Sequence, residues 1–237
     1  MNIEFSTVIV GFMAIMTENK DNKSESRRRC VWGIYAILDA RAAGRPHLEA
    51  ARALLEGGAA VIQLRDKTST FEELMDIGRG LRRMTRDHGA DFIVNDNPYL
   101  ARELDADGVH LGQSDFPADI AREILGPEKI IGLSTHTKPQ ALAAQLLPVD
   151  YIGVGPVYPT RTKVSEWPPV GTALIRWVRH AISLPMVAIG GITGERIVDV
   201  VAAGAHNVAM IRELLTAGDI ADQTRRLRAV FERAASE

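Results

Sequence analysis

The stretch DFIVNDNPYLARELDADGVHLGQSD, Asp91–Asp115, decides the fold. It holds two short apolar runs, 91–96 and 108–112, each leading to an acid, Asp96 and, nineteen residues on, Asp115. Neither run alternates apolar with polar residues, as a strand with one wet face does. Nearly continuous apolarity instead marks strands buried on both faces of a parallel sheet.

Six more runs of this kind flank the pair: GIYAILDA (33–40), AVIQLRD (60–66), KIIGLST (129–135), YIGVGPV (151–157), PMVAIGG (185–191) and NVAMIR (207–212). Stretches of helical period separate them. HLEAARALLEGGA ends on a Gly-Gly stop, and TFEELMDIGRGLRRMTRDHGA opens on Thr70 as N-cap and stops at Gly89. The third and fourth units are short. Eight βα units in about 200 residues predict a (β/α)8 TIM barrel, an α/β fold in a single domain. No GxGxxG follows the first strand, so the dinucleotide fingerprint of an open doubly wound sheet is missing.

The barrel is expected over residues 31–237, with residues 1–30 as an N-terminal extension. In that extension STVIVGFMAIM (Ser6–Met16) is apolar but too short to span a bilayer. No Lys or Arg precedes it and no small-residue cleavage site follows, so it makes a poor signal peptide. The polar TENKDNKSESRRR comes next, and the whole extension is expected to be poorly ordered. Met16 offers an alternative start. A net charge of −2 with dispersed cations argues against a nucleic-acid surface, and no segment calls for a membrane. The lone cysteine, Cys30, allows no internal disulfide and no cysteine metal site, which fits a reducing cytoplasm. The oligomeric state is left open between a monomer and a homo-oligomer.

Barrel active sites lie where strands end. The residues leaving these strands are polar: Gln63, Arg65, Asp66 and Lys67; Asn95 and Asp96; Gln113 and Asp115; Ser134 and His136; Thr160, Arg161, Thr162 and Lys163; Gly190 and Gly191; Ile211 and Arg212. Two acids among cations, hydroxyls and glycines suit a phosphorylated substrate bound with a divalent cation. Mg²⁺ takes one or two carboxylates plus phosphate oxygens, so Asp96 and Asp115, on adjacent strands, are its candidate ligands. Each could equally be a turn residue, since Asn-Asp-Asn-Pro is good turn chemistry. Arg65 can fork onto phosphate oxygens or pair with a nearby acid. The proline-rich stretch 155–169 reads as a binding loop or a solvated crossover. The loops after strands seven and eight often cradle phosphate. His136 could hydrogen-bond a substrate, whereas His110, inside strand four, reads as a core histidine with a satisfied partner. No Ser-His-Asp arrangement is visible, and Ser134 lacks a GxSxG context.

The motifs QLRDK, IVNDNPYLARELDADGVHLGQSD, IGLSTHT, YIGVGPVYPTRTK and AIGGI, in this order, resemble the thiamine-phosphate synthase family over about residues 31–235. The resemblance implies a (β/α)8 barrel that joins hydroxymethylpyrimidine diphosphate to a thiazole phosphate. It further implies that Gln63, Leu64, Arg65, Asp66, Lys67, Asn95, Ser134 and Lys163 serve the pyrimidine diphosphate. Asp96 and Asp115 would bind Mg²⁺, and Thr160, Arg161, Thr162, Gly191, Ile211 and Arg212 would meet the thiazole phosphate. Arg65, Lys67, Ser134 and Lys163 would carry catalysis by easing diphosphate departure. Three features depart from the family pattern: Asp66 where Glu is usual, Arg212 where a small Ser is usual, and the extension. A thiazole tautomerase shares the fold, but the intact Gln63–Arg65–Lys67 set and both acids favour the synthase.

Overall fold

The computed structural model describes residues 30, 33–39, 42, 44–160, 162 and 167–236. Eight parallel strands close into a barrel in sequence order: β1 (Gly33–Asp39), β2 (Val61–Arg65), β3 (Asp91–Asn95), β4 (Gly108–Leu111), β5 (Ile130–Thr135), β6 (Tyr151–Val154), β7 (Met186–Ile189) and β8 (Asn207–Met210). Every expected strand is present. Each apolar run ends one to three residues later than its strand at the C-terminal side, except in β5. The polar and glycine residues that close the runs have already turned out of the sheet, and there they can meet a ligand.

The helices are α1 (His47–Glu56), α2 (Phe71–His88), α3 (Pro98–Glu103), α4 (Ala118–Leu125), α5 (Lys138–Ala144), α6 (Gly171–Ala181), α7 (Ile197–Ala202), α8 (Arg212–Leu215) and α9 (Ile220–Ser236). Their ends follow local chemistry. Thr70 caps α2 in a reciprocal box: its hydroxyl accepts from the Glu73 N–H, and the Glu73 carboxylate accepts from the Thr70 N–H at 2.7 Å. Gly89 stops that helix in the left-handed region at φ 65°. Asn97 caps α3 through the Leu100 N–H, with Pro98 at the first position.

Strand periodicity divides the core in two. One face of each strand packs outward on the helices and builds a large aliphatic layer that includes Leu38, Leu54, Leu64, Phe92, Leu111 and Ile152. The other face fills the lumen with Tyr35, Ile37, Val61, Ile93, Ile130, Tyr151, Val187 and Ala209. Each fully buried aliphatic side chain contributes about 2 kcal/mol, so the outer layer carries most of the stability. The upper lumen is thereby free to hold polar residues. Asn207 clasps the barrel's lower rim, accepting from the Gly33 N–H at 3.0 Å and donating to the Cys30 carbonyl at 2.8 Å. Residues 1–29, where the extension is expected, lie outside the described residues. Among the described residues no helix is long and apolar enough to cross a membrane.

Candidate active site

A cavity of about 440 Å³ opens at the C-terminal end of the barrel. Its floor consists of the lumen-facing residues of the strands, and its walls are the loops that follow them. Of the residues expected there, Gln63, Arg65, Asn95, Ser134, His136, Thr160, Thr162, Gly190, Gly191, Ile211 and Arg212 line it. Strand register explains the grouping. Asn95 is level with His110, and Ser134 with Gly153, so alternate residues from neighbouring strands meet in one layer.

Arg65 is ion-paired with Asp39, which ends β1 and is 2% exposed. The expected pairing with a nearby acid is therefore present, but the partner comes from the adjacent strand. The pair aims the guanidinium while leaving it donors to offer the cavity. Across the cavity, Gly190 (φ 104°) and Gly191 (φ 62°) turn the chain after β7. A Cβ on Gly191 would stand 2.4 Å from the Pro159 carbonyl oxygen, so only glycine lets these two loops touch. Arg196 braces the same corner: its guanidinium donates to the Gly191 carbonyl at 2.6 Å and lies 4.4 Å from the centre of the Tyr158 ring. Arg212 begins α8 and is exposed at the cavity edge.

Lys67, Asp96 and Asp115 gather beside the cavity rather than in its wall. Lys67 Nζ lies 2.9 Å from an Asp96 carboxylate oxygen. Asp96 sits in the left-handed region at φ 65°, where Asp and Asn are the tolerated non-glycine residues. That turn brings its carboxylate against Asp115. Burial opposes the charge of Asp96, but the hydrogen bond with Asp115 and the Lys67 ammonium outweigh it and hold the carboxyl low. Burial and the bond to Asp96 push Asp115 up, against a Gly112 N–H donated at 2.7 Å. Two touching carboxylates, one of them pushed up by burial and by the other, form the donor set a divalent cation relieves. The residues present therefore fit Mg²⁺. Among the described residues no cluster of three or more His, Cys, Asp or Glu offers an all-protein cage.

Two residues of the QLRDK motif turn their side chains away from the cavity. Leu64 faces the outer aliphatic layer at 2% exposure, because its neighbours Gln63 and Arg65 take the inward positions. Asp66 does not reach the cavity either. Its carboxylate accepts from the backbone and hydroxyl groups of Thr68 and Ser69, at 2.6–3.1 Å, and His47 Nε2 lies 3.4 Å away. It is the cap of the turn that carries Lys67. His136 gives its Nδ1–H to the Gly155 carbonyl at 2.6 Å and stacks on Trp167, a role in loop packing beside its place in the wall. Arg161 and Lys163 lie outside the described residues.

Sequence reading missed Tyr35, His110, Tyr151 and Arg196. Three of them sit inside strands, at lumen-facing positions one to four residues before the strand ends, where reading only the residues that leave each strand passes over them. His110 does have satisfied partners, as expected, yet it faces the cavity: Nδ1 is 2.8 Å from Tyr151 Oη and Nε2 is 2.9 Å from Ser134 Oγ.

Fold and site together define a parallel (β/α)8 barrel enzyme with two cationic ends in one cavity, suited to phosphorylated substrates. A family profile described as thiamine monophosphate synthase matches residues 34–214. A thiamine-phosphate synthase of Moorella thermoacetica is 44% identical over 204 residues, covering 86% of this chain and 97% of that protein. One of Pelotomaculum thermopropionicum is 46% identical over 190 residues, covering 80% and 87%. The solved thiamine phosphate pyrophosphorylase from Pyrococcus furiosus superposes with a TM-score of 0.80 at 36% identity, covering 87% of this chain and 98% of that one. The chain belongs to the thiamine monophosphate synthase family.

Proposed function

We propose that this transferase of thiamine biosynthesis joins hydroxymethylpyrimidine diphosphate to a thiazole phosphate in a Mg²⁺-dependent reaction, releasing diphosphate and thiamine phosphate. One observation carries the reading: a single cavity has an anion-receiving end at strands β2–β5 and another at the loops after β7 and β8. Arg65, Asn95 and Ser134 stand at the first, and Gly191, Arg196 and Arg212 at the second. Two phosphorylated substrates can then lie with their reacting carbons and nitrogens between the ends.

The bond changes need little acid–base chemistry. The bond from the pyrimidine methylene to the diphosphate oxygen breaks, and its electron pair leaves with diphosphate. The thiazole nitrogen lone pair then closes the new carbon–nitrogen bond. No proton must move and no protein nucleophile is needed, which agrees with a site built from donors and cations. Arg65 and Ser134 offer hydrogen bonds to the departing diphosphate, with Lys67 and Lys163 as further charges. Asp96 and Asp115 would hold Mg²⁺, which when bound supplies positive charge to the leaving diphosphate oxygens. The apolar floor of Ile37, Val187 and Ile189 keeps water from a cationic methylene.

The test is diphosphate release by the full chain given both substrates, first with Mg²⁺ and then with excess chelator. Metal-dependent release with an equal yield of thiamine phosphate is expected. Equal rates with and without chelator would remove the metal role, and no release with either would remove the reaction.

A further inference from the structure

Across the cavity floor five side chains from five strands form one hydrogen-bonded chain. Gln63 Nε2 donates to Tyr35 Oη at 2.9 Å. Tyr35 and Tyr151 hydroxyls are 3.0 Å apart, Tyr151 Oη is 2.8 Å from His110 Nδ1, and His110 Nε2 is 2.9 Å from Ser134 Oγ. Both phenols are buried, at 1% and 0% exposure. The barrel is carved to admit them. A Cβ on Gly132 would stand 2.1 Å from the Tyr151 ring, and one on Gly153 would stand 3.2 Å from the His110 ring. Packing alone does not ask for this. Phenylalanines would fill the same space without buried hydroxyls that must be satisfied.

The first donor favours one direction for the chain. Tyr35 accepts from Gln63, and in this direction its own proton points to Tyr151. Tyr151 in turn passes its proton to His110 Nδ1. The neutral imidazole then carries hydrogen on Nε2 and gives it to Ser134 Oγ. The Ser134 proton is directed out of the chain, toward the cavity that Ser134 lines.

We propose that His110, Tyr151 and Tyr35 are positioning residues that fix the Ser134 hydroxyl as a hydrogen-bond donor aimed into the cavity. That the acceptor is the leaving diphosphate rests on the function proposed above. Reversing the Gln63 amide would reverse every proton, and Ser134 would then spend its hydrogen on His110 and face the cavity as an acceptor. The two directions differ in where His110 carries its proton.

A long-range ¹⁵N–¹H spectrum of the full chain reads that position directly, with the His110 signals identified by their loss in His110→Gln. Hydrogen on Nε2 is expected in the wild type, and a mixture of both tautomers in Tyr151→Phe. Preorganised donors are worth ~10²–10³ in kcat, so a misdirected one in Tyr151→Phe should cost about 10–100-fold in kcat. The KM for thiazole phosphate, bound at the other end, should stay the same. His110→Gln, which can still place an amide N–H near Ser134, should recover most of the activity that His110→Phe loses. Hydrogen on Nδ1 in the wild type would overturn the proposal, as would an unchanged kcat in Tyr151→Phe. Tyr151→Phe conserves ring volume and serves where His110→Phe fails to fold. Should the wild type form no thiamine phosphate, the synthase reading falls, and the spectrum alone still supports or overturns the chain's direction.

Discussion

Asp66 and Asp96 are two acids at comparable strand ends with different work. Asp66 is held down at about 2: burial opposes its charge, but the hydroxyl and N–H donors of Thr68 and Ser69 win. A carboxyl depressed in the folded state stabilises above its unfolded value and loses that contribution as pH falls toward the folded one. Asp66→Ala should therefore destabilise the chain by about 1–2 kcal/mol at pH 7, the cost of losing a multiply bonded cap. Urea titrations should show the gap to wild type closing between about pH 4 and pH 2. Asp96 makes a different prediction. Asn tolerates its left-handed backbone, so Asp96→Asn keeps the turn and removes the charge. Turnover should fall by about 10²–10³ with the thermal midpoint nearly unchanged. Near-normal turnover in that variant would take Asp96 out of the metal site. The motif placed both acids at strand ends. Side-chain direction separated them: Thr68 and Ser69, two and three residues on, hold Asp66, whereas Lys67 and Asp115, distant in sequence, hold Asp96.

Elements were the most legible level. The Thr70 cap and the Gly89 stop appear as expected; the reciprocal bond from Glu73 and the Asn97-Pro98 helix start, also decided within four residues, are added by the structure. Thr70→Ala should cost about 1 kcal/mol of stability and leave kcat/KM unchanged, because α2 lies on the outside of the barrel. A stability loss accompanied by a comparable loss of activity would mean that α2 holds the β2 end and Lys67 in place. Strand boundaries at the C-terminal side were less legible. Apolarity continues past the last ladder pair wherever the loop remains buried, as at Val157, whose N–H still bonds the Ile189 carbonyl at 2.8 Å.

At the scale of the whole molecule the question is closure. Strand β8 must return to β1, and Asn207 secures the lower rim through Gly33 and Cys30. Asn207→Ala leaves a buried N–H and a buried carbonyl without that partner. Each such loss costs about 1–3 kcal/mol, so a drop of about 3 kcal/mol is expected. For a chain of this size that lowers the melting temperature by about 6–12 °C in calorimetry. Activity at 25 °C should persist, since the clasp lies at the opposite end from the cavity. An unchanged melting temperature would show that the rim closes without it.

By itself the sequence determined the eight-fold repeat, the barrel and the polar strand ends, because periodicity, caps and turn chemistry are local properties of the chain. It also placed Gln63, Arg65, Asn95 and Ser134 where they line the cavity. Tertiary structure alone decided that Asp39 aims Arg65 and that Tyr35, Tyr151 and His110 meet under Ser134. These contacts join residues 26 to 116 positions apart for Arg65–Asp39 and Tyr35–Tyr151. No local pattern encodes such meetings. The register of a closed barrel creates them, by bringing alternate residues of different strands onto one floor.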